Sequence, residues 1–143
     1  MKIAICSSLD FADEVWKIAE KLKALGHEVI LPQTIERIAR GEVTYDEIME
    51  EKRTGEISKR IIKHDLFKYY YGQIKKSDAV LVTNFDKKGI KGYIGGAVFL
   101  EMGYAHILDK KIYLLKEIPK MGYTDEIKGM QPIVINDDLS QIV

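Results

Sequence analysis

Glu101 is the residue whose type and position most clearly call for chemistry. In GYIGGAVFLEMGYAH (Gly92–His106) it stands three residues after Val98 and four before Ala105. Helical spacing places its carboxylate beside the apolar stripe Ile94, Val98, Met102 and Ala105, not on the opposite, solvated face. A carboxylate held near a core can act as a nucleophile or move a proton, because removal from water strengthens its electrostatics and shifts its pKa. The plainer alternative is a glutamate that snorkels to the surface or pairs with a lysine. The setting favours function. A glycine-rich loop lies immediately upstream, and the small residues Gly95, Gly96, Ala97 and Gly103 leave room for a ligand.

Other reactive side chains carry weaker signals. Cys6 is followed by Ser7 and Ser8 with no arginine to hold an oxyanion, so a small core residue is its better reading. His27, His64 and His106 are scattered without an H-x-x-x-H pair, and no metal is expected. The run Tyr69, Tyr70, Tyr71 can line a pocket for a planar base; at helical spacing one tyrosine faces the core and its neighbours cover a rim or a subunit interface. The turn CSSLDFAD has no glycine, so G-x-G-x-x-G is absent, as is G-x-x-x-x-G-K-[ST]. No dinucleotide or other cofactor is expected.

The elements that must position Glu101 follow from the hydrophobic pattern. Strands are predicted at Lys2–Cys6, His27–Pro32, Asp78–Val82, Lys111–Leu115 and Pro132–Asn136. A helix is predicted from Phe11 to Leu25, with Asp10 as N-cap and Gly26 as stop. The segment from Thr34 to Lys76 reads as mostly helical, with breaks at Gly41 and Gly55 and one stripe carrying Ile62, Leu66, Tyr70 and Ile74. Alternating strands and helices give a single doubly wound α/β domain, flavodoxin/Rossmann-like, over residues 1–143, with a five-stranded parallel sheet. Ligands bind such sheets beyond the carboxyl ends of the strands. Ser7–Asp10, Asn84–Tyr93 and the start of the Glu101 helix therefore meet at the functional edge.

Composition limits the partners. The chain has 143 residues, enough for one real core, with 46% hydrophobic and 31% charged residues. Its 22 basic and 22 acidic residues cancel, which argues against nonspecific nucleic-acid binding. One cysteine excludes an internal disulfide. The opening MKIAICSSL is too short for a signal peptide, and nothing approaches a membrane span. A cytoplasmic protein acting on a small molecule is the expectation.

The segment EMGYAHILDKKIYLL (Glu101–Leu115) resembles the E-x-G-x-A-x-x-x-x-K-x-[IV] pattern of the nucleoside 2-deoxyribosyltransferase-like superfamily, which includes the deoxynucleoside 5'-monophosphate N-glycosidases. SDAVLV and KIAICSSL are also similar to that family's strands. The resemblance implies cleavage or transfer at the N-glycosidic bond of a (deoxy)nucleoside or its 5'-monophosphate, with Glu101 as nucleophile. Asn84, Asp86 and Tyr93 would hold sugar hydroxyls or orient Glu101, Ser7 and Ser8 would meet base, sugar or phosphate, and Gly95 and Tyr70 would line the site. It also implies a homo-oligomer, a dimer or higher.

Three features depart from the family pattern. An aspartate is usual where Tyr70 stands here, and the nearest upstream acid is Asp65, a substitute only through a longer helix or a local irregularity. The loop before Glu101 is longer, with GYIGGAVFL inserted. The first loop lacks the arginine of phosphate-binding members, which favours a free nucleoside. GGAVFLE (Gly95–Glu101) is similar in turn to the PGGxGTxxE segment of phosphoribohydrolases, without its proline, third glycine and threonine. A non-catalytic nucleotide-binding or sensing module is the alternative of a different class.

Overall fold

Alternate residues of KIAIC feed two different cores, and this accounts for the architecture. In the computed structural model, which describes residues 1–143, strand β1 (Lys2–Cys6) sends Ile3 and Ile5 to one face and Ala4 and Cys6 to the other. A strand buried on both sides must be central and covered by helices on both faces, as in parallel sheets. β3 (Ala79–Val82) and β4 (Lys111–Leu114) share this pattern, whereas β2 (Glu28–Ile30) and β5 (Ile133–Val134) are short, half-covered edges. The five strands are all parallel, in the order β2-β1-β3-β4-β5. The doubly wound α/β expectation therefore holds.

One face is covered by α1 (Ala12–Ala24), α2 (Gln33–Ala39) and the C-terminal 3-10 turn Leu139–Gln141 with the residue that follows it, through Val15, Leu22, Ile35 and Ile142. The other is covered by α5 (Leu66–Lys76), α6 (Gly96–Ile107) and α7 (Thr124–Gly129), through Tyr70, Ile74, Val98, Met102 and Ile127. α3 (Tyr45–Thr54) and α4 (Ile57–His64) complete the chain order. β1 pairs with both β2 and β3, so the strand order reverses beside it and a crevice opens past its carboxyl end.

Local chemistry moved several boundaries. Ser8, not Asp10, provides the first cap: its hydroxyl accepts from the Asp10 amide at the start of the 3-10 turn Leu9–Phe11, and α1 begins after Phe11 without a side-chain cap. The Asp10 carboxylate pairs instead with Lys52 and with Lys87 at 2.6 Å, tying α3 and the loop after β3 to the loop after β1. Both lysines hold its carboxyl below the usual carboxylate range, against the opposing effect of burial. The helical segment breaks at Gly55 as predicted (φ 85°), and again at Asp65, a left-handed residue (φ 49°) between α4 and α5. That second break shifts the helical phase. Tyr70 and Ile74 stay inward, while Ile62 is 77% exposed.

Candidate functional site

α6 carries Glu101 to the crevice. Val98, Met102 and Ala105 bury one side of this helix against the sheet, which fixes its rotation and sets Glu101 on the flank facing β1 and α5. Its Oε2 is sealed from solvent and has no hydrogen-bond partner. Burial pushes the carboxyl up from the ordinary 4.5 to about 8, with the neighbouring Cys6 thiol pulling partly the other way. Burial also drives the Cys6 thiol up, reinforced by the charge of Glu101. At neutral pH Glu101 is therefore held mostly as the protonated acid.

A pocket of about 120 Å³ opens against Glu101 at the end of β1. It is a partly open cleft, not a sealed cavity. Ser7, from the loop after β1, and Gln33 and Thr34, at the start of α2, supply neutral polar groups to its wall. Arg37 Nε donates to Gln33 Oε1 at 3.4 Å; because arginine only donates, this orients the amide. Ile57 and Ile61 of α4 and Leu66 and Phe67 of α5 form the apolar side. Glu101 is the one carboxylate in this wall, and no Lys, Arg or His joins it.

Of the residues singled out in the sequence, Glu101, Ser7, Tyr69, Tyr70 and Ala97 come together here. The Tyr70 hydroxyl donates to the Ile5 carbonyl and, at 3.4 Å, to that of Ile30. It therefore braces α5 against β1 and β2 and offers the pocket its ring. Burial above all, then the nearby Cys6 and Glu101, raises its pKa well above the usual phenol value. The neighbouring tyrosines behave as the spacing predicts: Tyr70 is 5% exposed, and Tyr69 and Tyr71 are each 39% exposed.

The remaining predicted residues lie elsewhere. Asp65 is exposed at the α4–α5 break and takes no part in the wall that the adjoining Leu66 and Phe67 line, so the structure does not bring it to Glu101 as a second acid. Ser8 is occupied by its cap and by Lys87, whose Nζ donates to it at 3.3 Å. Asn84 does not orient Glu101. Its Nδ2 donates to the carbonyls of Glu117 (2.9 Å), Gly92 (3.3 Å) and Lys116 (3.4 Å), and its Oδ1 accepts from the Lys116 amide at 2.9 Å. This buried amide pins the loop after β3 to the end of β4 and has no donor left over. Asp86 accepts from the Gly92 amide at 2.9 Å and faces a separate polar cavity near the ends of β4 and β5. Tyr93 stands under Lys88 and Lys87, whose Nζ atoms lie 5.5 and 5.8 Å from its ring centre. Gly95 caps α6 in extended conformation beside the Tyr93 ring, where an added Cβ would sit 3.4 Å away.

Sequence reasoning missed Gln33, Thr34, Ile57, Ile61 and Phe67. They fall in a polar helical segment with no motif, and only the path of α2, α4 and α5 over the end of β1 brings them together. The one available signal was the isoleucine pair four residues apart in α4, a helix that apart from the exposed Ile62 is otherwise polar. Searches of protein-family models, curated proteins and solved structures find no match to the chain.

Proposed function

We propose that the protein cleaves or transfers the N-glycosidic bond of a nucleoside or nucleotide, with Glu101 as the nucleophile. The observation that carries this reading is a carboxylate in the wall of a pocket at the strand ends, one of its oxygens buried without a hydrogen-bond partner. In the proposed reaction the ionised Glu101 meets C1' of the sugar as the bond to the base nitrogen breaks. Positive charge grows at C1', and a carboxylate in a poorly solvated site stabilises that charge strongly. The C1'–O bond to Glu101 forms as the base departs with the bonding pair and takes a proton from solvent. Water, or the nitrogen of a second base, then attacks C1' and returns Glu101 as a carboxylate. Water makes the protein a hydrolase, and a second base makes it a transferase.

A binding or sensing module is the second reading. It is favoured by Glu101 being the one acid in the pocket wall, with Tyr70 where a second would be expected. The phosphoribohydrolase alternative keeps the same bond and the same residue. We place the protein in the cytoplasm as a homo-oligomer. No helix is long and apolar enough to cross a membrane. The outer side of α6 leaves Leu100 42% and Ile107 80% exposed beside Tyr71, an apolar face suited to a second copy.

The test is chromatographic detection of free base from nucleosides and 5'-monophosphates, with and without a second base, on wild type and Glu101→Ala. Base release by wild type that is lost in a folded Glu101→Ala protein supports the reading. Release that survives the substitution refutes the role of Glu101. Ligand-dependent stabilisation without any product favours the module.

A further inference from the structure

We infer that the cleft beside Glu101 binds a small organic ammonium ion, a primary amine carried on an apolar or aromatic body. The binding stands apart from the glycosidic reading above, because it needs only the cleft and no reaction. Three observations support it: a carboxylate that no cation of the chain serves, the single oxygen it leaves to the opening, and the walls beside it.

The first is the missing cation. No Lys, Arg or His lines the cleft, and the one neighbour that favours the Glu101 charge is the Cys6 thiol, a weak donor. Carboxylates held out of water are ordinarily paired, so the opening in front of Glu101 is where a partner from outside can enter. The second is how the carboxylate is presented. Oε2 is sealed without a partner, yet the residue as a whole is half-buried, which leaves Oε1 to the cleft. A guanidinium uses both oxygens for its paired hydrogen bonds, whereas an ammonium is a point charge that one oxygen can serve. A metal ion finds too few ligands, since no three His, Cys, Asp or Glu side chains are grouped to hold one.

The third is the wall. Ser7 gives its one hydroxyl hydrogen to the Ser8 carbonyl at 3.2 Å, so toward the cleft it can only accept, which suits a group that only donates. Phe67, Tyr69 and Tyr70 lie in the same wall, and the Tyr70 hydroxyl is committed to the Ile5 and Ile30 carbonyls, so its ring is what it offers. Aromatic faces attract a desolvated cation and also pack an apolar body. The amine pairs with the ionised carboxylate, so at neutral pH it must displace the proton that Glu101 holds there. The other titratable groups around Glu101 are Cys6 of β1, Tyr70 of α5 and Tyr104 of its own helix, all kept protonated by burial. β3 and β4 turn only apolar side chains to this face. The proton released on binding therefore comes from Glu101.

The experiment titrates 2-phenylethylamine, its neutral counterpart 2-phenylethanol and the anion 3-phenylpropionate into wild type and Glu101→Gln by calorimetry. It is run from pH 6.5 to 8.5 in two buffers of different ionisation enthalpy. An alkylamine, like a lysine side chain, keeps its proton to about pH 10, so the ligand charge is constant throughout. At pH 8.5 wild type should bind the amine at least tenfold more tightly than the alcohol, and the anion should not bind measurably. The amine affinity should fall at least tenfold from pH 8.5 to 6.5, with close to one proton released per amine bound at the lower pH. Glu101→Gln should bind the amine no better than the alcohol. Equal affinities in wild type, no binding of the amine, or an amine preference that persists in Glu101→Gln overturns the inference. An amine preference that is lost in Glu101→Gln but ignores pH keeps the ammonium site and refutes the displaced proton. Phe67→Leu, at a position 40% exposed, should melt like wild type and lower the amine-to-alcohol ratio at least threefold; an unchanged ratio refutes the aromatic contribution. Base release measured with and without the amine separates this inference from the glycosidic reading. Amine binding without any base release leaves the ammonium site alone, and base release without amine binding leaves the glycosidic reading alone.

Discussion

Glu101→Gln should stabilise the protein, and by an amount that depends on pH. The substitution keeps the shape of the side chain and removes its ability to ionise. In the folded chain the carboxyl is raised from 4.5 to about 8, chiefly by burial. Between those values the folded state holds a proton that the unfolded state has lost, so stability falls as pH rises. The favourable contribution is whole below about pH 4.5 and is lost as pH rises through about 8. The slope is ~1.4 kcal/mol per pH unit, which amounts to about 3 kcal/mol by pH 7 and about 5 kcal/mol above pH 8. The glutamine variant has no such term. The two proteins should be similar near pH 4.5 and separate steadily above it, with the variant melting roughly 10 °C higher at pH 7. Urea unfolding followed by circular dichroism at several pH values from 4.5 to 9 measures the gap directly. A gap that does not change with pH shows that Glu101 is already ionised in the folded protein, and the account of its burial is then wrong.

The same ionisation predicts the rate profile. Because the carboxylate form reacts, kcat/KM for base release should rise with pH along a limb near 8, and Cys6→Ala should move that limb upward by removing the thiol that favours the charge. A flat profile between pH 6 and 9 refutes an ionising nucleophile. Tyr70→Phe should cost about 1–2 kcal/mol of stability through the lost bond to the Ile5 carbonyl. A hundredfold fall in activity without loss of stability would instead place its hydroxyl on the substrate. Gly92→Ala should destabilise by about 2–3 kcal/mol, because Gly92 has a φ of 67° and a Cβ there would stand 2.6 Å from the Glu117 carbonyl oxygen; thermal melting settles this.

The sheet was readable because its strands are buried on both sides. Lys2–Cys6 and Lys111–Leu114 stand almost where the apolar runs place them, and the two edge strands, Glu28–Ile30 and Ile133–Val134, are the ones overestimated. An edge strand pairs on one side only, so its apolar run need not all be sheet. The break at Asp65 was not readable, since a left-handed aspartate has no local mark as strong as a glycine. Its effect reaches the site: the break turns α4 back over the pocket and exposes Ile62. The role of Glu101's neighbours was also hidden. Asn84 looks the same in sequence whether it reads a ligand or, as here, satisfies buried carbonyls from two other segments.

The cost of Glu101 bears on why it is there. α6 is apolar on nearly every side and carries this one acidic residue, so a methionine or glutamine at the position would serve folding better. A penalty of about 3 kcal/mol at pH 7 is a large part of the ~5–15 kcal/mol that holds a domain together. Two polar groups close by leave it unrelieved: the Tyr70 hydroxyl is committed to backbone carbonyls, and the Cys6 thiol offsets burial only in part. A ligand that develops positive charge beside the carboxylate supplies what the protein withholds, and does so most fully when that charge is greatest. If the whole penalty is recovered at the transition state, it corresponds to roughly a hundredfold to thousandfold in rate. Glu101→Gln should therefore lose at least that factor in base release while gaining stability. A variant that gained stability and kept its rate would show that the buried charge does not act on the reacting bond.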